Sequence, residues 1–204
     1  MIQRKILILG NEKSARYHPL SHVLFGIRQA LKECGVADVN TEYKSMDISA
    51  LQSYNCILSY IDDYQNLNRF DDVLAEYLEQ GGRILALHNG IITEKDSRLE
   101  QAYGGNFVTH PPYCDLTFYV SDWADWIYEK QFVMREEPYV VRRTDDECRI
   151  FLRFAYQGKL YEAGWYREYQ KGRMIYLSIG HDEKTAEKKS FQRLVRECIL
   201  YLCE

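Results

Sequence analysis

No segment of this 204-residue sequence approaches the roughly 20 consecutive apolar residues that a transmembrane helix needs. The opening MIQRKILILG carries two basic residues, but its apolar run is only Ile6 to Leu9 and no small-residue cleavage pattern follows. A cytoplasmic protein is therefore expected, neither secreted nor membrane-bound. The six cysteines, Cys34, Cys56, Cys114, Cys148, Cys198 and Cys203, form no CxxC pair and read as reduced packing residues. Lys and Arg number 26 against 30 Asp and Glu, a formal charge of −4, which argues against a broad nucleic-acid surface. The basic-looking run EKKSFQRLVRE is mixed in sign and amphipathic, as a solvated helix face is. The loop LGNEKSARYHP has one glycine, so it is neither a dinucleotide fingerprint nor a P-loop. No repeat, low-complexity tract or linker interrupts the chain, and one domain over 1–204 is expected.

Short apolar runs alternate with helical patterns in the first half: KILIL at 5–9, CILSYI at 56–61 and RILALH at 83–88. Between them Leu20, Val23, Leu24, Ile27 and Leu31 fall on one helical stripe, as do Phe70, Val73, Leu74, Tyr77 and Leu78. Continuous apolar strands separated by amphipathic helices predict an α/β fold, a mainly parallel sheet with helices on both faces, whose ligands bind at the strand carboxyl ends. From about Phe107 to Leu177 the pattern becomes strand-like, in CDLTFYV, PYVVRR, CRIFLRFAYQGKLYEAGWY and GRMIYLSIG, and predicts a β-rich second half of hairpins extending the same sheet. A closing helix carries Phe191, Leu194, Val195, Cys198, Ile199 and Leu202 on one face.

The chemistry concentrates after RILAL, in Ala86-Leu87-His88-Asn89-Gly90. Small residues two positions to either side of a central residue are the steric signature of a nucleophile elbow, a strained strand-to-helix turn. The usual Ser or Cys is absent, so acyl transfer through this position is disfavoured. A histidine there can instead move a proton near neutral pH or ligate a metal; the bland alternative is a ring that only satisfies a buried hydrogen bond. His110 in FVTHPPY and His181 in SIGHDE also follow strand-like runs, where loops converge with His88. His18 and His22 are spaced i, i+4 around Pro19 at the start of the first helix. His22 reads as a surface or packing residue, and His18 as a peripheral member of the site. Trp123, Trp126 and Trp165, among 17 tyrosines and three tryptophans, are candidates for stacking on a sugar ring, with sheet packing as the alternative.

These residues resemble the ThuA-like (trehalose utilisation) family. The resemblance runs over Tyr17-His18, LALHNG after GGR, GGNFVTHPP, EPY, AGWYREYQKGRMIYLSIGHD and the closing helix, and KGRMIYLSIGHD is its most specific block. It implies the class I glutamine amidotransferase-like fold, a flavodoxin-like three-layer sandwich. His88 then stands where the related amidotransferases carry their catalytic cysteine, and His181 with Glu183 resembles their His-x-Glu pair. Without the cysteine, glutamine hydrolysis through a thioester is implausible. His110, Glu137, Trp165 and Asp182 match positions that recur in the family, and the chain lacks the longer insertions of some members.

The resulting expectation is a polar pocket for a small-molecule carbohydrate related to trehalose or a keto-sugar. His88 and His181 are its catalytic candidates, with Asp182 or Glu183 orienting an imidazole. His18, Asn89, His110, Glu137 and Trp165 are the substrate-binding candidates, and backbone N–H groups after His88 steady an oxygen. A second reading puts a divalent metal such as zinc on His88, His110 and His181, for a hydrolase or isomerase. A third is a non-catalytic sugar-binding or regulatory domain. Assembly into a homo-oligomer stays open.

Overall fold

The computed structural model describes residues 4–62 and 68–204. Its strands are β1 (Arg4–Gly10), β2 (Gly35–Asn40), β3 (Cys56–Tyr60), β4 (Arg83–Leu87), β5 (Gly105–Thr109), β6 (Cys114–Val120), β7 (Gln131–Glu136), β8 (Val140–Arg143), β9 (Arg149–Tyr156), β10 (Lys159–Tyr169) and β11 (Gly172–Leu177). The helices are α1 (Ser21–Leu31), α2 (Ile48–Gln52), α3 (Asn68–Glu79), α4 (Arg98–Tyr103), α5 (Glu183–Ala186) and α6 (Lys189–Leu202). A nine-stranded sheet runs in the order β2-β1-β3-β4-β11-β10-β9-β6-β7. Its first five strands are mutually parallel, and the hairpins beyond β11 are antiparallel. The hairpin half extends the sheet as the sequence pattern predicts, with one departure: β5 and β8 leave it and pair as a separate two-stranded ribbon.

Successive side chains of a strand point to opposite faces, which sorts each apolar run into two cores. Ile6, Ile8, Leu58, Leu85, Leu87, Ile175 and Leu177 pack toward α1 and α6. Leu7, Leu9, Ile57, Ile84, Ala86, Met174 and Tyr176 pack on the other face, with Leu51 of α2, Leu74 and Leu78 of α3 and Leu99 of α4. Both faces are covered, so these strands read as unbroken hydrophobic runs, and each buried Leu or Ile contributes about 1.5–3 kcal/mol. Gly26 marks the closest approach on the first face, since a Cβ there would stand 2.1 Å from the Ala186 carbonyl oxygen of α5. Among the described residues no helix is long and apolar enough to cross a membrane.

Strand order reverses between β1 and β3, because the chain passes from β1 outward to β2 and then returns to the other side of β1. At such a switch point the loops leaving the two strands diverge and open a crevice at the carboxyl ends. The loop after β1 carries His18, and the residues after β3 carry Asp62.

Candidate functional site

β4 ends directly in a turn of 3-10 helix, His88–Ile91, and His88 takes φ 49°. A non-glycine residue in the left-handed region is strained and persists only where its surroundings over-determine it. Here they do. Gly90 lets the turn press on β3, where an added Cβ would meet the Ser59 carbonyl oxygen at 2.1 Å. The His88 ring is stacked against Tyr139, with centroids 4.1 Å apart. Its Nδ1 lies 2.7 Å from the Ser178 carbonyl oxygen. A carbonyl only accepts, so Nδ1 carries the hydrogen and the Nε2 lone pair faces the other way.

That lone pair faces a cluster. His18 Nε2, His88 Nε2 and His181 Nδ1 stand 3.6, 3.5 and 3.1 Å from one atom, Glu137 Oε2. The four candidate ligand atoms all lie within 4.8 Å of one another. Each comes from a different strand end: His18 from the loop after β1, His88 after β4, Glu137 after β7 and His181 after β11. None of the four has a hydrogen-bond partner, and neither ring nitrogen of His18 has one. Buried polar atoms are normally satisfied, and leaving one unmade costs about 1–3 kcal/mol. Four ligand atoms placed about 2.0–2.2 Å from a tetrahedral ion are about 3.3–3.6 Å apart, close to the separations from Glu137. The donor set of three imidazoles and one carboxylate suits a divalent ion of the zinc type.

The surroundings hold each donor. Asp62 Oδ2 accepts the backbone N–H groups of Tyr17 and His18 at 2.6 and 2.7 Å and lies 3.9 Å from His18 Nδ1. Asp62 is itself fixed by its own N–H, which donates to Asn11 Oδ1. Glu136, adjacent in sequence to Glu137 but buried in the layer beneath, accepts the Gly180 N–H at 2.7 Å and the His181 N–H at 3.3 and 3.4 Å. Tyr60 donates to the Gly180 carbonyl oxygen at 2.7 Å, which secures the same loop from β3.

The electrostatics follow from burial and from Glu137. Burial pushes the His88 imidazole down to about 4, so it is neutral near pH 7. Burial raises the Glu137 carboxyl, but its contacts with His18, His181 and His88 outweigh that and hold it well below the usual carboxylate range. Burial opposes protonation of His181, yet the Glu137 contact and charge raise it above its ordinary value. Glu136 is raised to about 8 by burial, against the hydrogen bond it receives from Gly180.

The other sequence-predicted residues are placed differently. His110 stands at the rim, its side chain 38% exposed and its Nδ1 3.6 Å from Glu137 Oε1, outside the cluster of four. Of the metal set read from the sequence, His88 and His181 lie in the cluster with His18 and Glu137, and His110 lies outside it. Asn89 is fully buried in the elbow turn, with neither amide atom partnered among the described residues. Asp182 caps α5 by accepting the Thr185 N–H and also accepts the Tyr113 hydroxyl, while Glu183 is exposed in the first turn of α5. Neither is hydrogen-bonded to an imidazole among the described residues; the carboxylates that contact the His181 segment are Glu136, through the backbone N–H groups of Gly180 and His181, and Glu137, 3.1 Å from the ring. Trp165 is fully buried, donates to the Tyr103 carbonyl oxygen and packs on Tyr176, so it belongs to the core beneath α4 rather than to a pocket. Trp123 donates to the Ile150 carbonyl oxygen and Trp126 stacks on Tyr201, both as packing. His22 is exposed on α1.

Sequence reasoning passed over Asp62, Glu136 and Tyr139. The available signal was position, because Asp62 follows the CILSYI run much as His88 follows RILAL, and EEPY begins on the last residue of a strand.

The trehalose utilisation family, ThuA, matches the chain over residues 5–202. The structure is similar to a thua-like protein from Bacteroides uniformis ATCC 8492, with TM-score 0.80 and 16% identity over 98% of this chain and 91% of that one. It is equally similar to a thua-like protein from Parabacteroides merdae ATCC 43184, with TM-score 0.80 and 11% identity over 98% and 90% of the two chains. A β-galactosidase from Bacillus circulans sp. alkalophilus matches with TM-score 0.72 and 13% identity over 98% of this chain and 30% of the enzyme. At these identities the likeness is one of fold. No curated protein matches the chain by sequence.

Proposed function

The chain belongs to the trehalose utilisation family, ThuA, and from that premise we propose that it is a metal-dependent enzyme of carbohydrate metabolism. It acts as a hydrolase or isomerase on a sugar related to trehalose or to a keto-sugar, and not as a glutaminase. His18 Nε2, His88 Nε2, His181 Nδ1 and Glu137 Oε2 hold the ion. The observation that carries this reading is the convergence of four unpartnered, largely buried donor atoms on one point. Without a cation there, three imidazoles crowd one carboxylate, with the His18 and His88 rings 4.8 Å apart. With one, every such atom gains a partner and a neutral His88 is in the protonation state a ligand needs.

A divalent ion held by these four donors would supply a Lewis acid for a carbonyl or hydroxyl oxygen of the sugar, which would have to enter as a fifth ligand. The protein's residues do the rest. The Ser178 carbonyl fixes the His88 tautomer and Asp62 faces the second nitrogen of His18, the usual outer support of ligating histidines. His110, half-exposed beside Glu137, is placed to exchange a proton with substrate at the rim.

Elemental analysis of untagged protein purified without chelator tests the reading. It predicts about one divalent ion per chain in wild type and in His110→Ala, a loss of at least tenfold in occupancy in His88→Ala and Glu137→Gln, and loss of turnover on a disaccharide and keto-sugar panel after chelation. Full turnover by metal-free protein would overturn it and return the site to plain imidazole acid–base chemistry.

A further inference from the structure

Beside the histidine cluster, on its α5 side, lies a groove of about 350 Å³ lined by Tyr113, Asp115, Arg135, Lys184, Thr185 and Lys188, among others. It brings Arg135, Lys184 and Lys188 to one place against a single carboxylate, Asp115, in a chain whose formal charge is −4. All three cations are exposed, and none is in an ion pair among the described residues. The groove formed by the loops after β1 and β2 balances Lys13 and Lys44 with Glu12 and Glu42. The groove between α1 and α6 also gathers cations, Lys32, Lys189, Arg193 and Arg196, but both of its arginines are paired, Arg193 with Glu129 and Arg196 with Glu33, and it lies away from the histidine cluster.

The wall shared with the histidine cluster is Tyr113. Its ring centroid lies 4.9 Å from that of His181, and the Arg135 guanidinium stands over it at 5.2 Å. Its hydroxyl donates to Asp182, which fixes the ring in that position. Arg135 is thus linked to His181 through one aromatic ring, so the cationic groove and the histidine cluster adjoin. A guanidinium with two ammonium groups matches a phosphate or carboxylate.

We propose that this groove is an anion subsite, and that the sugar taken by the centre is an anionic one, with its phosphate or carboxylate held by Arg135, Lys184 and Lys188. The inference rests on the proposed metal centre for where the other end of the substrate lies, but the anion subsite is testable without it.

Calorimetric titration at low ionic strength is the test, with inorganic phosphate, glucose 6-phosphate, glucuronate and glucose as probes. At least one of the two anionic sugars is expected to bind at least tenfold more tightly than glucose, and the stronger of the two identifies the substituent as phosphate or carboxylate. The Arg135→Gln, Lys184→Gln, Lys188→Gln triple variant, altered only at exposed positions, is expected to lose that advantage, and Lys184→Glu alone to weaken it severalfold. His88→Ala is expected to keep phosphate binding, which separates this subsite from anion capture by a metal. Equal affinity for charged and neutral sugars, an undiminished preference in the triple variant, or loss of phosphate binding in His88→Ala would each overturn the proposal. A wild-type protein that lacks metal yet retains the anion preference would count against the metal centre and leave the subsite standing.

Discussion

A histidine at φ 49°, a carboxylate facing three imidazoles and a buried tryptophan show how far residue type alone carries function. His88 and His181 were legible because each follows an apolar run, and sheets of this kind present strand-end residues to ligand. His18 was legible only as a peripheral residue, since nothing in YHPLSH announces that Asp62, distant in sequence, draws its backbone inward through two hydrogen bonds. Asp62 and Glu136 were the blind spot, and Glu137 was reached only through the resemblance. With 30 Asp and Glu in the chain, only burial separates these three from the solvated majority, and burial is a property of the folded sheet. Trp165 errs in the opposite direction, because an aromatic residue in a strand reads equally well as a sugar platform or as core. Its placement predicts that Trp165→Phe, which removes the hydrogen bond to Tyr103 and part of the core volume, lowers unfolding free energy by about 2–4 kcal/mol. Chemical denaturation should show that loss while metal content and sugar affinity stay at wild-type values. A weakened sugar affinity with unchanged stability would return Trp165 to the pocket.

At the scale of elements, the apolar runs of β1, β3 and β4 and the stripes of α1, α3 and α6 were readable from periodicity because each buries a continuous face. β7 was not, and the reason is physical. Phe132, Met134 and Glu136 point inward while Val133 is 65% exposed, so the alternation places a carboxylate in the core and a valine outside. That inversion is what brings Glu136 beneath the His181 loop and Glu137 above it, and a rule that expects polar residues outside misses it. The edge strand β2, Gly-Val-Ala-Asp-Val-Asn, is only partly buried and carries no continuous apolar run, and α2 and α4 depend on capping by Asp47 and Ser97. The packing of α1 on α5 depends on Gly26, which in a helix interior costs up to about 1 kcal/mol relative to alanine. Here alanine is the worse choice, because its Cβ would overlap the Ala186 carbonyl of the other helix. Gly26→Ala should destabilise by about 1–3 kcal/mol, measured as a lower urea midpoint with an unchanged slope. A stabilised variant would mean that the two helices separate more readily than their packing indicates.

For the whole molecule, four strand ends far apart in sequence deliver one donor each to a single point beside the switch between β1 and β3. The two-faced burial of the parallel strands fixes those ends relative to one another, so the site is assembled by the sheet rather than by any local motif. This explains why the family resemblance and the strand-end argument pointed to these residues while their convergence needed coordinates. Whether a divalent ion occupies that point is tested most directly by anomalous diffraction at the zinc edge from crystals of chelator-free protein. A single strong peak is predicted about 2.0–2.2 Å from His18 Nε2, His88 Nε2, His181 Nδ1 and Glu137 Oε2. Crystals grown with zinc that give no peak there, or only peaks at surface sites, would contradict the proposal.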